Sequence, residues 1–551
     1  MGTIMDRRAF VKGAAVAGAA LAATGIAGCA SGQTGSSVEW DDETEVLVLG
    51  FGGAGAVAAI TAHESGSEVL ILEKAAHTGG GVSSVAGANT CAVVDADKAF
   101  EYVKKTCKGL TPDAVLRAWA EEGATLTDWL DEHGIEYVDK GDACGFTTIS
   151  GGDEEIARTV TLTDPDDGSH AGGSYFMQWA TQFLSDEGVE IRFGMQATDL
   201  IRDPDSLEIV GVKAQSGDGE VLIRAKKAVI LATGGFEANP EMMGNYVRPW
   251  PLKPAGWPLN TGDGIKMAQA VGADLWHMNL VTGSGYVFDE PDHVVGRTNF
   301  KNYVQNGAFL FVNRDGERFQ CEHPSSYWSH LSTWAYDDFD EKRKQASSDY
   351  LNYPFYCVFD ETLNGAGSLF PDTGKISGLP LVPADLGGQD HKWSEDNSEE
   401  IEMGWILKAD TLEDLAEAIN ADAAEYGFEM KGEALVNTVD RFNGFCETGQ
   451  DTDFGRPADN GGTPNLVALK NPPYYAMRFV PSTCSTCGGP VKNELGQILD
   501  VKGNVIPRLY GAGVISHAAA HTYAFNGFNW SEVFNGGRIA GRNAAAEESA
   551  E

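Results

Sequence analysis

The stretch that most constrains this chain is Glu45–Lys74, EVLVLGFGGAGAVAAITAHESGSEVLILEK. Val46, Leu47, Val48 and Leu49 form an apolar run without polar alternation, the pattern of a strand covered on both faces. Gly50, Gly52 and Gly55 follow in G-x-G-x-x-G spacing, with Gly53 and Ala54 inside the motif. The first glycine of such a motif makes the turn and the second lets backbone approach a pyrophosphate. The third lets the helix pack on the sheet, and the helix N-terminus faces the phosphate charge. Val69–Leu72 reads as the second strand, with Glu73 at its end placed to accept hydrogen bonds from a ribose. The glycines alone would also fit a turn in an ordinary α/β unit. Strand, turn, helix, strand and terminal acid together specify dinucleotide binding.

The rest of the composition narrows what surrounds this unit. At 551 residues the chain exceeds one small core, so two interleaved domains are expected. A net charge of −40 argues against nucleic acid or an anionic membrane surface as partner, since both are polyanions. It fits a soluble acidic surface, or docking to a basic electron-transfer protein. Nine cysteines over this length do not make a disulfide scaffold. The first 37 residues read as targeting. Asp6-Arg7-Arg8-Ala9-Phe10-Val11-Lys12 and the mild apolar run Gly13–Gly28 resemble a twin-arginine export signal, whose pathway carries folded, cofactor-loaded proteins. Ile26-Ala27-Gly28-Cys29 resembles a lipobox with Cys29 acylated, the alternative being a signal cut without lipidation. Ala30–Ser37 is then a tether, and the membrane is met only through the signal or lipid anchor.

Further along, His77–Asn89 holds Gly79, Gly80 and Gly81 with Ser83 and Ser84, which reads as a second phosphate- and flavin-contacting loop or as a plain surface loop. Thr111-Pro112 is expected to open a helix with an N-cap and a first-turn proline, its apolar face formed by Leu116, Trp119, Leu126, Trp129 and Leu130. Val189–Phe193 reads as a strand followed by Ala197, and Glu208–Ala214 and Glu220–Ala225 as two further β segments. Ala228–Gly235 is a buried strand ending in a glycine turn, and Thr261-Gly262-Asp263-Gly264 opens another helix.

The motifs LGFGGAG, LEK, ILATGGF, NTGDGIKMA, GERF, IPRLYGAG and GRIAGRNAA, in this order, resemble the fumarate reductase/3-ketosteroid dehydrogenase class of FAD flavoproteins over nearly all of residues 44–547. The resemblance implies an α/β fold, a Rossmann-like (GR2-type) FAD-binding domain interrupted by an α+β capping domain that closes over substrate. It places the FAD parts at 44–275 and 483–551 and the cap at 276–482. FAD is expected to be non-covalent, because the family's covalent-attachment histidine motif is absent and His77 reads as a loop histidine. The cofactor-contacting residues so implied are Gly50, Gly52, Gly53, Ala54, Gly55, Glu73, Lys74, Gly79, Gly80, Gly81, Ser83, Ser84, Ala197, Ala232, Thr233, Gly234, Asp263, Gly488, Gly489, Gly513, Asn529 and Trp530. Gly511-Ala512-Gly513 approaches the flavin from the C-terminal side. A final helix over about Ser531–Glu547 would turn its N–H groups to the flavin C2 carbonyl and stabilise a reduced, anionic flavin.

The cap departs from the fumarate reductase pattern. That pattern implies a substrate-clamp histidine near Gly283, where none stands, and a proton-donating arginine just after Arg318-Phe319-Gln320-Cys321-Glu322, where Ser326 and Tyr327 stand. Its Glu/Arg relay would fall at Lys301–Gln305, its second histidine at Cys484 and its last arginine near Tyr523-Ala524, and all are missing. Two carboxylates entering a closed pocket need cationic or hydrogen-bonding partners. The expected lining of Tyr286, Tyr327, Trp328, Tyr523 and Phe525 suits a larger, less charged carbonyl ligand. Tyr327 and Tyr523 are the candidate acid and carbonyl polariser, with His517, His521 and Cys484 as other acids. Cys484-x-x-Cys487 could also be a redox pair or half of a metal site, but with no second C-x-x-C no metal is expected.

These readings converge on an exported FAD oxidoreductase reducing an activated C=C bond, an enone, enoate or steroid-like substrate other than fumarate. Its electrons would come from a separate cytochrome or quinol-linked donor. A 3-ketosteroid-type dehydrogenase running in the oxidative direction, and a surface electron-transfer flavoprotein with no organic substrate, are the alternatives.

Overall fold

The strand expected at Val46 runs from Asp42 to Leu49 (β1), and its alternate residues serve two different cores. Val46 and Val48 pack with the helix Gly53–Glu64 (α1), whereas Leu47 and Leu49 pack on the opposite face with Phe236, Met242 and Ile265. Burial on both sides is the reason the run lacks alternation. β2 (Val69–Leu72) pairs parallel to β1, from Val46 opposite Val69 to Leu49 opposite Leu72. β3 (Glu190–Arg192) extends the sheet beyond β2, and β4 (Gly219–Leu231) lies on the other side of β1, followed by β5 (Val505–Gly511). The parallel order is therefore β5-β4-β1-β2-β3. The order reverses between β1 and β4, and in open α/β sheets ligands bind at such a switch point, outside the carboxyl ends of the strands. The structure, a computed structural model, describes residues 38–143, 145, 150–152, 156–163, 172–248, 250–282, 285–291, 293–297, 300, 307–322, 336–340, 345–350, 352–370, 375–376, 379–380, 391–460, 462–521 and 527–550. Within these, no helix is long and apolar enough to cross a membrane.

One local expectation merges with another. Glu220–Ala225 and Ala228–Leu231 are not separate segments but halves of the single strand β4. Its first half pairs antiparallel with Ile209–Ser216 and its second half parallel with β5, while β1 runs beside both halves. The intervening Lys226 and Lys227 do not break it, because their ammonium groups reach Glu43 at 2.7 Å and Glu45 at 3.2 Å along the edge of β1. Thr111 does not cap the next helix either. That helix begins at Asp113 with Pro112 in the cap position, and the Thr111 hydroxyl donates instead to the Ala518 carbonyl at 2.8 Å. The expected apolar face of Leu116, Trp119, Leu126, Trp129 and Leu130 is buried as read, now across two helices, Asp113–Gly123 and Leu126–Glu132.

Between β4 and the return of the chain at Gln497–Leu499 lies a second, largely antiparallel sheet. Tyr474–Thr483 is its centre, flanked by Phe355–Asp360, Gly285–Phe288 and Leu407–Ala409. One face buries Tyr286, Phe288, Phe311, Phe355 and Phe479. The other is covered by the helices Leu412–Asp422 and Gly432–Thr448. Tyr286 is thus a core residue, 1 % exposed and edge-on to Phe311 at 4.9 Å, and not part of a substrate lining. The alternation of Gly285–Phe288 puts Tyr286 and Phe288 on the inner face.

Candidate active site

The glycine turn after β1 is held by backbone. The Ala232 N–H donates to the Leu49 carbonyl at 2.8 Å, and Gly50 passes so close that a Cβ there would stand 2.6 Å from the Ala232 oxygen. Glu73, 9 % exposed, accepts from the Phe51 N–H and the Ala75 N–H, both at 2.8 Å. Burial pushes its carboxyl up and the two backbone donors oppose that. The acid therefore fastens the end of β2 to the turn, a role the motif did not announce, and each oxygen keeps a lone pair for a further donor. The second glycine loop meets the first at a bridge between Gly52 and Gly80, and the Gly53 N–H donates to Ser83 Oγ at 3.1 Å. Gly79 lies against Phe51, and Ser84 Oγ donates to the Gly81 carbonyl at 2.8 Å. Lys74 Nζ donates to Thr261 Oγ1 at 2.8 Å and to Asp263 Oδ2 at 2.9 Å, and Gln196, beside half-buried Ala197, also reaches Asp263. Burial alone would raise the Asp263 carboxyl, but Lys74 and the other donors more than offset it and hold it low.

Space remains where a cofactor needs it. A Cβ on Gly52 would meet only the Gly80 backbone, no nearer than 3.5 Å, and one on Gly81 would meet nothing within 4 Å. The hydroxyl of Thr233, at the end of β4, is buried with no partner among the described residues. An open backbone cradle beside an orphaned hydroxyl fits a dinucleotide.

The C-terminal side closes the same end of the sheet. Gly489 would place a Cβ 1.7 Å from the Ile515 carbonyl oxygen, so backbone passes backbone there, and Gly513 would place one 2.5 Å from the Ala54 methyl in the first turn of α1. Gly488 lies equally close to Met278. The last helix (α2) spans Phe528–Ala545 and so starts three residues before Ser531, behind Gly527 at φ +90°. Asn529 and Trp530 lie in its first turn, whose N–H groups lack intrahelical acceptors. Asn529 Nδ2 donates to Thr282 Oγ1 at 2.7 Å, whereas the Trp530 indole packs into the core against Phe176 and Phe534. Behind them Lys492 and Glu532 form a buried ion pair.

The candidate acids divide sharply. Tyr327 and Tyr523 lie outside the described residues, as do Ser326, Trp328, Ala524 and Phe525. His521 is exposed at φ +59°, and His517 is fully buried, so the two do not share a helix face. His517 Nδ1 accepts from the Ala519 N–H at 2.8 Å, and burial, reinforced by Lys492, holds the ring well below the usual histidine range and neutral. Burial pushes the Cys484 thiol up to about 12, with the charge of Glu237 adding to it, and raises Cys487 as well. Neither is a reactive thiolate. No group of three or more metal-ligating side chains occurs among the described residues. Sequence reading missed Glu237, whose partners Asn260 and Thr486 lie 23 and 249 positions away.

A family model described as an FAD binding domain matches residues 45–528. The chain belongs to that FAD binding domain family. FAD is its cofactor, and it is an FAD-dependent oxidoreductase. This flavoprotein is 26% identical to a digoxin reductase of Eggerthella lenta, over 99% of this chain and 97% of the relative. It is also 26% identical to a fumarate reductase (cytochrome) of Shewanella frigidimarina, over 92% of this chain and 77% of the relative. Its fold matches that of a 3-ketosteroid delta1-dehydrogenase from Sterolibacterium denitrificans with a TM-score of 0.72 and 19% identity, covering 92% of this chain and all of the other. The architecture is that of the FAD-dependent oxidoreductases with a capping domain.

Proposed function

We propose that this flavoprotein reduces the carbon–carbon double bond of an α,β-unsaturated carbonyl compound that is neutral or singly charged, an enone, an enoate or a steroid-like ligand, and not fumarate. The observation carrying this reading is Cys484. It stands where the fumarate reductase pattern implies a histidine, and its thiol stays uncharged. The described groups around the start of α2 point the same way. Thr282 and Asn529 are neutral, His517 is held neutral, and Lys492 is spent on Glu532. A dicarboxylate desolvated there would find no free cationic partner among these described groups.

FAD, when bound non-covalently, would be the source of the hydride that reaches the β-carbon. The glycine turns at Gly50–Gly55 and Gly79–Gly81, with Glu73, Lys74, Asp263 and Thr233, hold the cofactor. The first-turn N–H groups of α2 would favour negative charge developing at this end of the sheet. The second sheet, within residues 276–482, serves as the cap, and Tyr327 and Tyr523 serve as acid and carbonyl polariser. Arg7-Arg8 and Cys29 support export by the twin-arginine route and a lipid anchor, with electrons arriving from a separate cytochrome or quinol-linked donor.

The test is anaerobic. Protein whose FAD has been reduced by viologen is mixed with fumarate, enones, enoates and steroid enones, and flavin reoxidation is followed. Reoxidation by a member of the last three classes, at least about a hundredfold faster than by fumarate, is expected, since a lost buried ionic contact costs several kcal/mol. Ordinary enzymatic reoxidation by fumarate overturns the reading.

A further inference from the structure

Buried carboxylates in this protein mostly keep a cation. Glu322 has Arg318 and Arg456, Glu532 has Lys492, and Glu290 has Arg297. Glu237 is 1 % exposed and has none among the described residues. Its Oε1 accepts one good hydrogen bond, from Asn260 Nδ2 at 2.7 Å. Its Oε2 has only the Thr486 N–H and hydroxyl, each at 3.4 Å. A buried anion with so few donors favours its protonated form.

The position of Glu237 matters as much as its isolation. It stands two residues after the Gly234–Gly235 turn that follows β4. A Cβ on Gly235 would stand 2.5 Å from Glu237 Oε2 and 2.2 Å from Thr486 Oγ1, and one on Gly234 would stand 2.9 Å from Asn260 Oδ1. On its other side, Thr486 belongs to a two-residue ladder, Ser485–Thr486 against Val281–Thr282. Thr282 accepts from Asn529 in the first turn of α2. The carboxyl therefore lies against the turn that follows β4 and bonds Thr486 of the ladder that leads to α2.

We propose that Glu237 is a redox-linked proton acceptor, taking up a proton from solvent when the bound flavin is reduced and releasing it on reoxidation. The inference rests on FAD binding at this end of the sheet and is independent of the substrate reading. A low-potential one-electron donor such as reduced viologen supplies the electrons to the flavin. The proton comes from water and forms an O–H bond on the Glu237 carboxylate, with no bond of a substrate changed. Negative charge added nearby makes a carboxylate a better base. The carboxyl is poised to respond, because burial pushes it up to about 7, against the Asn260 and Thr486 donors. Among the described residues, the titratable groups that face it are the thiols of Cys484 and Cys487, both held protonated; Asn260, Thr486 and Phe236 carry no charge. As a group beside the cradle, Glu237 is a positioning residue for charge and not a catalytic one.

The experiment is a redox-induced infrared difference spectrum of the FAD-loaded full chain near pH 7, in H2O and D2O, with viologen mediators and no substrate. Reduction is expected to produce a protonated-carboxyl C=O band that shifts in D2O, with matching loss of carboxylate bands, and Glu237→Gln should abolish both. The flavin midpoint potential should depend less steeply on pH around neutrality in Glu237→Gln than in the wild type. Should that variant fail to load FAD, Asn260→Ala keeps the acid but removes its best donor, so the band should move to higher pH. No carboxyl band in the wild type, the same band in Glu237→Gln, or an unmoved band in Asn260→Ala overturns the proposal. None of these outcomes bears on which double bond the enzyme reduces.

Discussion

The two sheets of this protein are specified by opposite means. At the carboxyl end of the central sheet, backbone passes backbone at Gly50, Gly55 and Gly489, and side chains mostly fasten turns. The second sheet is filled by aromatic side chains around Phe311, Phe355 and Phe479, and holds a charge cluster of Arg318, Glu322, Asp451 and Arg456 whose side chains are nearly all out of solvent. A site made by backbone approach leaves a trace in glycine spacing, because any Cβ would collide. A site made by side chains brought from distant positions leaves no such local trace.

The largest effect should come from crowding the first region. A Cβ on Gly55 would stand 2.0 Å from the Gly50 carbonyl oxygen, a backbone atom of the turn that cannot swing aside as a side chain can. Gly55→Val should leave protein that retains no FAD and lacks its cooperative unfolding transition, a destabilisation beyond about 4 kcal/mol. Yellow, stably folded Gly55→Val would show that close backbone approach does not specify this turn.

The second region should fail differently. Arg456 donates to the Phe309 carbonyl at 2.7 Å and the Gly307 carbonyl at 3.0 Å, pairs with Glu322 at 3.4 Å, and lies between the rings of Phe309 and Phe442. Arg456→Met keeps much of the volume but leaves Glu322 with Arg318 as its one cation among the described residues and removes the guanidinium donor from two carbonyls. Removing one partner from a buried charge cluster costs about 3–5 kcal/mol. The urea midpoint should fall accordingly, while FAD stoichiometry without denaturant stays at the wild-type level. Loss of FAD in native buffer would show that the two regions are not specified separately.

The same contrast explains what the sequence made legible. Val46–Leu49 and Val69–Leu72 could be read because burial on both faces removes alternation, and the G-x-G-x-x-G placed the turn between them. α2 began three residues early because Gly527, with φ +90°, forms the cap, and nothing in Asn526–Trp530 distinguishes that start from one at Ser531. Tyr286 looked like pocket lining because an aromatic in a short β segment has the same composition whether it faces a ligand or a core; only its pairing with Tyr474–Thr483 decides. Glu237 was invisible, since a carboxyl becomes unusual only when Asn260 and Thr486 fold against it.

The smallest expected effect is the sharpest test of what the backbone cradle is for. Gly81 has φ +51°, a conformation that alanine adopts at a cost of about 1 kcal/mol, and a Cβ there would meet no protein atom within 4 Å. In apo protein, Gly81→Ala should therefore lose about 1 kcal/mol and nothing more. Gly87 is the control: it too has open space around its Cβ position, but no left-handed φ. Gly87→Ala should leave apo stability and FAD affinity unchanged. If the space beside Gly81 is where the phosphates approach, a methyl group there removes contact that the apo protein does not need. The Kd for FAD should then rise about tenfold, or about 1.4 kcal/mol, beyond the change seen with Gly87→Ala. If Gly81→Ala shifts apo stability alone and binds FAD as the wild type does, the loop at Gly79–Gly81 is a turn and not a cofactor contact. Recognition by backbone would then shrink to the first glycine motif.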